Sequence, residues 1–312
     1  MFDALDGVSL WATHNEPWCA AFLGHWHGAH APGARDFRGA VLAAHHILYS
    51  HGLAVRAFRA SGARGEIGIV LNLAPQDPAS GSEDDRAAAT AADGHHNRWF
   101  LDPLFRGRYP EDVLRQYARL AGPLDFIEPA DLDVVSAPTD YLGVNYYSAR
   151  TVRADAASPL GWTGVRAGTG ADVPSDGWER APDGLTRLLT RLREDYGPRP
   201  LYVTENGFGA EEPAGDAASL NDERRIAYLR AHLAAAHEAI AAGVDLRGYY
   251  LWSLLDNFEW SFGYRIRFGI VHVDFATQRR RPKASAFFYS GVIARNALVD
   301  EDADHGRSRL AG

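Results

Sequence analysis

Two glutamates, each beside an asparagine, stand at the ends of short apolar runs: Asn15-Glu16 and Glu205-Asn206. A carboxylate and an amide cost free energy at a strand end unless something there uses them. Far apart in sequence, the two pairs can meet only through the fold. Two carboxyl groups facing one pocket divide their roles when their surroundings separate their pKa values, one neutral as an acid and one ionised as a nucleophile or base. That division is the machinery of glycoside hydrolysis. A gap of about 5 to 5.5 Å gives a covalent intermediate and retention, and about 6.5 to 9.5 Å admits a water and inverts the anomer. The alternative is a pair of structural carboxylates, each satisfied by an arginine or a backbone amide.

A second cluster, Trp252-Ser-Leu-Leu-Asp-Asn-Phe-Glu259-Trp260, adds a carboxylate between two indoles. Sugars present apolar C–H faces, which indoles match, and hydroxyls, which carboxylates and indole N–H groups bind. Phe and Leu would fill a buried aromatic cluster as well without Glu259, so the residue types favour a sugar subsite over plain packing.

Six short apolar runs read as strands: residues 8–13, 67–71, 141–146, 201–204, 248–253 and 269–273. Most are continuously apolar, the pattern of strands buried on both faces. Helical patterns lie at 37–51, with Gly52 as a stop, and at 183–195, 221–242 and 283–295. The segments 74–94, 153–182 and 206–220 read as long loops. Strands alternating with helices imply a parallel sheet with crossover helices. No Gly-rich phosphate turn follows the first strand, as a doubly wound dinucleotide fold would require. Polar residues instead recur at strand ends (Glu16, Asn72, Asn145 with Tyr147, Glu205, Asp256), where a β/α barrel builds its site. The expected fold class is therefore α/β, a TIM-type barrel.

The chain has 312 residues, 46% of them apolar, and a net charge of −8. That balance excludes the basic face a nucleic acid or anionic membrane wants. No run approaches the roughly 18 apolar residues of a membrane span. The first residues, MFDALDGVSLW, lack the basic and apolar regions of a secretory signal, and Cys19 is the single cysteine. The expectation is a cytoplasmic protein in which Cys19 is a small core residue. His25, His27 and His30 have no companion Cys or carboxylate at metal-ligand spacing, so neither metal nor cofactor is expected. Arg279-Arg280-Arg281 reads as a solvated run. His14 reads as a packing adjustment. Residues 1–299 form one expected domain and 300–312 a polar tail.

The stretches "THNEPW", "LGVNYYS", "YVTENGFG" and "YYLWSLLDNFEWSFGYRIRFGIVHVD" resemble glycoside hydrolase family 1, the β-glucosidase family. "FLGHWHGAHAPG", "GEIGIVLN", "NRWFLDPLFRGRYP" and "SDGWERAPDGL" agree in the same order. The resemblance implies a retaining mechanism, with Glu16 as general acid/base, its pKa raised, and Glu205 as nucleophile. Asn15 would bind the sugar 2-hydroxyl, and Tyr147, oriented with Asn145, would donate to Glu205. Trp252 would stack under the glycone, Glu259 and Trp260 would bind its distal hydroxyls, Phe268 would lie near its exocyclic end, and Trp178 would line the aglycone side. The implied substrate is a small β-glycoside, first of all a β-glucoside. Galactosides, fucosides and phospho-glycosides are rivals, the last disfavoured by the charge of Glu259.

The resemblance also implies that barrel strands four to eight are present and one to three are not, along with the glutamine and histidine-tryptophan pair those strands carry in the family. A misplaced start, a degraded gene and a fragment completed by a partner all stand as explanations. Open edges at both ends of a partial barrel invite pairing with another chain, including a homo-oligomer. The competing function is therefore an inactive glycoside-binding or interaction fragment.

Overall fold

The computed structural model describes residues 1–2, 4–5, 7–165, 178–211 and 220–298. The tail beyond residue 298 lies outside them. Five parallel strands form the main sheet: β1 (Leu10–Asn15), β2 (Glu66–Asn72), β4 (Tyr141–Asn145), β7 (Leu201–Asn206) and β8 (Leu246–Leu251), in the order β1-β2-β4-β7-β8. Between them run α1 (Phe37–Ser61), α5 (Pro129–Val135), α6 (Pro182–Tyr196) and α7 (Glu223–Ala241), while α8 (Ala284–Arg295) follows the last strand. This is the expected parallel α/β order.

The central strands β2 and β4 are buried along nearly their whole length, as their continuous apolar character requires. The edge strands β1 and β8 are not, and Ala12 and Tyr250 are exposed. The expectation of burial on both faces therefore fails at the edges, where among the described residues β1 and β8 each have a neighbouring strand on one side only. One large core lies between the sheet and its helices. Leu71, Leu142, Val144 and Val203 from the strands meet Leu48, Leu185, Leu188, Leu192, Ala235 and Ala239 from the helices. Each such leucine or valine, fully buried, contributes about 1.5–3 kcal/mol.

Three expectations need correction. Gly52 does not stop α1, which continues to Ser61 and ends at Gly62 in the left-handed region. A Cβ on Gly52 would lie 1.9 Å from the Val134 carbonyl oxygen, so this glycine serves the close approach of α1 to α5. The segment 74–94 is not a plain loop. It holds β3 (Gln76–Pro78) and α2 (Glu83–Asp93), capped by Ser82, which accepts from the Asp85 N–H at 3.1 Å. The acidic first turn, Glu83-Asp84-Asp85, suits the positive end of that helix. Likewise β5 (Arg150–Ala154) and β6 (Trp162–Val165) join β3 in a small three-stranded sheet reaching into the segment 153–182.

Three further helices, α3 (Trp99–Arg106), α4 (Glu111–Ala121) and α5, escaped the sequence reading. The run 269–273 is no part of the main sheet: β9 (Val271–Val273) pairs antiparallel with β10 (Arg280–Pro282). Among the described residues no helix is long and apolar enough to cross a membrane.

Candidate active site

The carboxyl ends of the five strands open into one cleft of about 1490 Å³. The ten residues singled out from sequence, Asn15, Glu16, Asn145, Tyr147, Trp178, Glu205, Trp252, Glu259, Trp260 and Phe268, all line it. Asn72 lines it as well. Asp256 does not, and its role is structural.

Register brings the two glutamates together. β1 and β7 are separated by β2 and β4, and Glu205 pairs opposite Asn145 on the neighbouring strand. From that central position the Asn145 amide donates to Glu16 Oε1 and to Asn15 Oδ1, each at 2.9 Å. Its own carbonyl oxygen accepts from Thr204 Oγ1 at 2.7 Å, which fixes the orientation of the amide. Glu16 adopts φ 49°, a left-handed conformation that a non-glycine residue takes at a cost of order 1–3 kcal/mol. Its N–H is held by the Val70 carbonyl at 2.9 Å.

Tyr147 donates its hydroxyl to Glu205 Oε2 at 2.7 Å. The backbone behind it is secured in turn, since Tyr228 donates to the Tyr147 carbonyl at 3.1 Å. Asn206, fully buried, donates to the Tyr146 carbonyl at 2.7 Å and accepts from Tyr249. The apolar faces of Tyr147, Trp178 and Phe268 meet, with ring centroids 4.8 Å apart for Tyr147–Trp178 and 6.2 Å for Tyr147–Phe268.

Beyond β8, the Trp252 indole donates to Glu259 Oε2 at 3.3 Å. The loop carrying Glu259 and Trp260 is anchored by Asp256, which is fully buried. Asp256 accepts from Arg267 at 2.7 Å, from Lys283 at 3.1 Å and from the Gly269 and Val273 N–H groups. Trp260 is 67% exposed and stacks on His30, centroids 5.9 Å apart, so loops from the two ends of the sheet touch across the cleft.

Sequence reasoning put the raised pKa on Glu16. In the structure burial, and then the charge of Glu16, push Glu205 up to about 7. Hydrogen bonds from Tyr147, Asn15 and Asn145 oppose this and favour its ionised form.

Cys19 packs against the main core, as expected, and also lines the cleft beside Glu16, where burial with the Glu16 charge pushes its thiol well above the usual range. It is a protonated thiol and no nucleophile. Trp18, His96 and Arg150 line the same cleft and were missed. Trp18 closes the THNEPW stretch two residues beyond Glu16, whereas no motif marked His96 or Arg150 and only the fold brings them to the cleft. Among the described residues no group of three His, Cys, Asp or Glu side chains could hold a metal ion.

A parallel α/β sheet with facing glutamates, flanked by an indole-carboxylate cluster, defines a class that comparison with known proteins makes specific. The Glycosyl hydrolase family 1 model matches residues 1–298, and the chain belongs to that family. β-Glucosidase A of Acetivibrio thermocellus is 42% identical over 294 residues, covering 94% of this chain and 65% of that protein. β-Glucosidase A of Thermotoga maritima is 42% identical over 298 residues, again 65% of its length. The chain therefore spans just under two-thirds of the curated relatives it matches. The solved family 1 β-glucosidase of Exiguobacterium antarcticum superposes with a TM-score of 0.90 at 45% identity, covering 96% of this chain and 67% of that one. The parallel sheet corresponds to part of the TIM barrel of those enzymes.

Proposed function

We propose that the chain carries the catalytic pair of a retaining β-glycosidase acting on small β-glucosides. The observation that carries this reading is the joint placement of Glu16 and Glu205 in one cleft. The Asn145 amide holds the first and the Tyr147 hydroxyl holds the second. Hydrogen bonds from Tyr147, Asn15 and Asn145 favour the ionised form of Glu205 that a nucleophile needs.

Glu205 would then attack the anomeric carbon while Glu16 protonates the leaving oxygen. Glu16, now ionised, would take a proton from water in the second step and free the sugar. Trp252 offers a stacking face for the glycone, Glu259 and Trp260 offer hydroxyl ligands, and Phe268 closes the side near Tyr147. Asn15 would read the 2-hydroxyl and Trp178 would border the aglycone. A Thermotoga maritima β-glucosidase, 41% identical, has been solved with deoxynojirimycin, which supports a glucose-shaped subsite.

The competing reading is glycoside binding without turnover. It is favoured by the open edges of the sheet and by the exposure of Asn15, which leave the cleft more solvated than a closed barrel would. Release of nitrophenol from a nitrophenyl β-glucoside by the purified chain, beside a Glu205→Ala control, decides between them. Turnover that disappears in the control supports the hydrolase. Binding with no turnover supports the alternative.

A further inference from the structure

Arg150 opens β5 immediately beyond the catalytic strand β4, three residues after Tyr147. Its backbone is held firmly: Arg150 is in register with Gln76 of β3, and its N–H donates to the Pro75 carbonyl at 2.9 Å. The side chain is exposed only in the sense that it lines the catalytic cleft, and its guanidinium lies 5.5 Å from the centre of the Trp18 ring. Glu16, Glu179, Glu205 and Glu259 line the cleft too, yet none forms an ion pair with it. Among the described residues Arg150 has no carboxylate partner.

A cation in a cleft wall normally finds an anion or is drawn out to water. Here the neighbours do neither. Burial and the charge of Arg150 itself push His96 well below the ordinary histidine range, and the same charge adds to the lowering of His27 and His95. These imidazoles are therefore neutral, and the wall holds one uncompensated positive charge, at Arg150. The chain as a whole carries −8, so this is a local feature and no part of a general basic field.

We propose that Arg150 is a specificity-determining residue of the leaving-group side, selecting β-glycosides whose aglycone carries a carboxylate. This rests on the glycosidase reading of the same cleft. The guanidinium is planar and presents paired N–H donors that match the two oxygens of a carboxylate. Its contact with Trp18, two residues beyond Glu16 and at the opposite edge of the sheet from Trp252 and Glu259, puts it on the aglycone side. Contact with Trp18 holds the cation in place before a ligand arrives, which lowers the ordering cost of binding.

The test compares 4-carboxyphenyl and 4-carbamoylphenyl β-glucosides, nearly equal in shape and different in charge. Their dissociation constants are measured by tryptophan fluorescence on the full 312-residue chain at low salt, with Glu205→Gln in the background to suppress turnover. The carboxylate is expected to bind roughly tenfold tighter, the scale of one hydrogen bond to a charged group. Arg150→Gln is expected to bring the ratio of the two dissociation constants to about one, and its thermal unfolding reports that the variant is folded. Arg150→Lys keeps part of the preference. Equal binding of the two ligands, or a preference that survives Arg150→Gln, overturns the assignment and leaves the glycosidase reading standing. Binding of neither ligand overturns both.

Discussion

Asn145 on β4 donates one amide to Glu16 at the end of β1, at 2.9 Å, while standing in register with Glu205 on β7. The acid/base candidate and the nucleophile candidate are thus oriented by one side chain on the strand beside Glu205. Thr204, next to Glu205 in sequence, holds the far end of the same amide. A shift in any of these strands would be felt by both carboxyls.

The Tyr147–Glu205 bond should be visible in the pH profile. Its hydroxyl lowers the pKa of Glu205, so Tyr147→Phe raises that pKa and moves the acid limb of activity upward. Loss of a hydrogen bond to a charged group costs about 1.5–3 kcal/mol, so kcat/KM is expected to fall roughly 10- to 100-fold near neutral pH. Rates measured from pH 5 to 9 on wild type and variant check both the fall and the direction of the shift. A lower rate with an unmoved limb would mean Tyr147 merely packs.

The same carboxyl links stability to pH. Glu205 is raised from 4.5 to about 7, so its folded state prefers the proton. The stability this contributes is fully present below pH 4.5 and is lost as pH rises through 7. Glu205→Gln, neutral at every pH, should therefore stabilise the chain relative to wild type above pH 8 and do so much less at pH 4. The upper bound on the difference is about 3 kcal/mol. Thermal unfolding of both proteins at the two pH values measures it. A gain that is larger at pH 4 would reverse the sign and refute the linkage.

Asp256 is the anchor of the Glu259 loop. Asp256→Ala would remove the carboxylate that stands 3.1 Å from the buried Lys283 ammonium. Breaking one side of a buried pair costs about 3–5 kcal/mol. Denaturant titration should show a loss on that scale, and glycoside affinity should weaken with it because Glu259 and Trp260 lose their support. A loss under 1 kcal/mol would mean that Lys283 finds water, and that the loop stands without this anchor.

Gly52→Ala sets helix propensity against packing. Alanine in a helix interior is favoured over glycine by about 1 kcal/mol. Its Cβ, however, would sit 1.9 Å from a backbone oxygen of α5, which cannot swing aside as a side chain can. Overpacking of this kind costs about 1–3 kcal/mol, so the net effect is expected to be destabilising. A lowered melting temperature is the predicted result, and a raised one would show that α5 moves freely.

The sequence reading and the structure part company in instructive places. Residues 37–51 read as a helix ending at Gly52, because glycine is the usual stop signal. Only the contact with Val134 reveals a glycine kept for close packing within a longer helix. The segment 74–94 read as a loop because Gly81, Pro75 and Pro78 dominate its start, while the cap Ser82 and the acidic turn that follow were legible and passed over. Trp18 lay within the THNEPW stretch and was passed over, while Arg150 and His96 carried no signal, since each reaches the cleft from a segment whose own pattern is that of packing or turn.

The sequence by itself determined which groups are candidates for chemistry: two glutamates at strand ends beside asparagines, an indole-carboxylate cluster and a parallel α/β order. Those are local facts of residue type and periodicity, readable without coordinates. The tertiary structure alone decided how the groups act on one another. Strand register puts Asn145 between Glu16 and Glu205, burial rather than residue type pushes Glu205 upward, and a small side sheet brings Arg150 into the cleft. Such couplings fall off over a few ångströms, and separation along the chain does not encode separation in space.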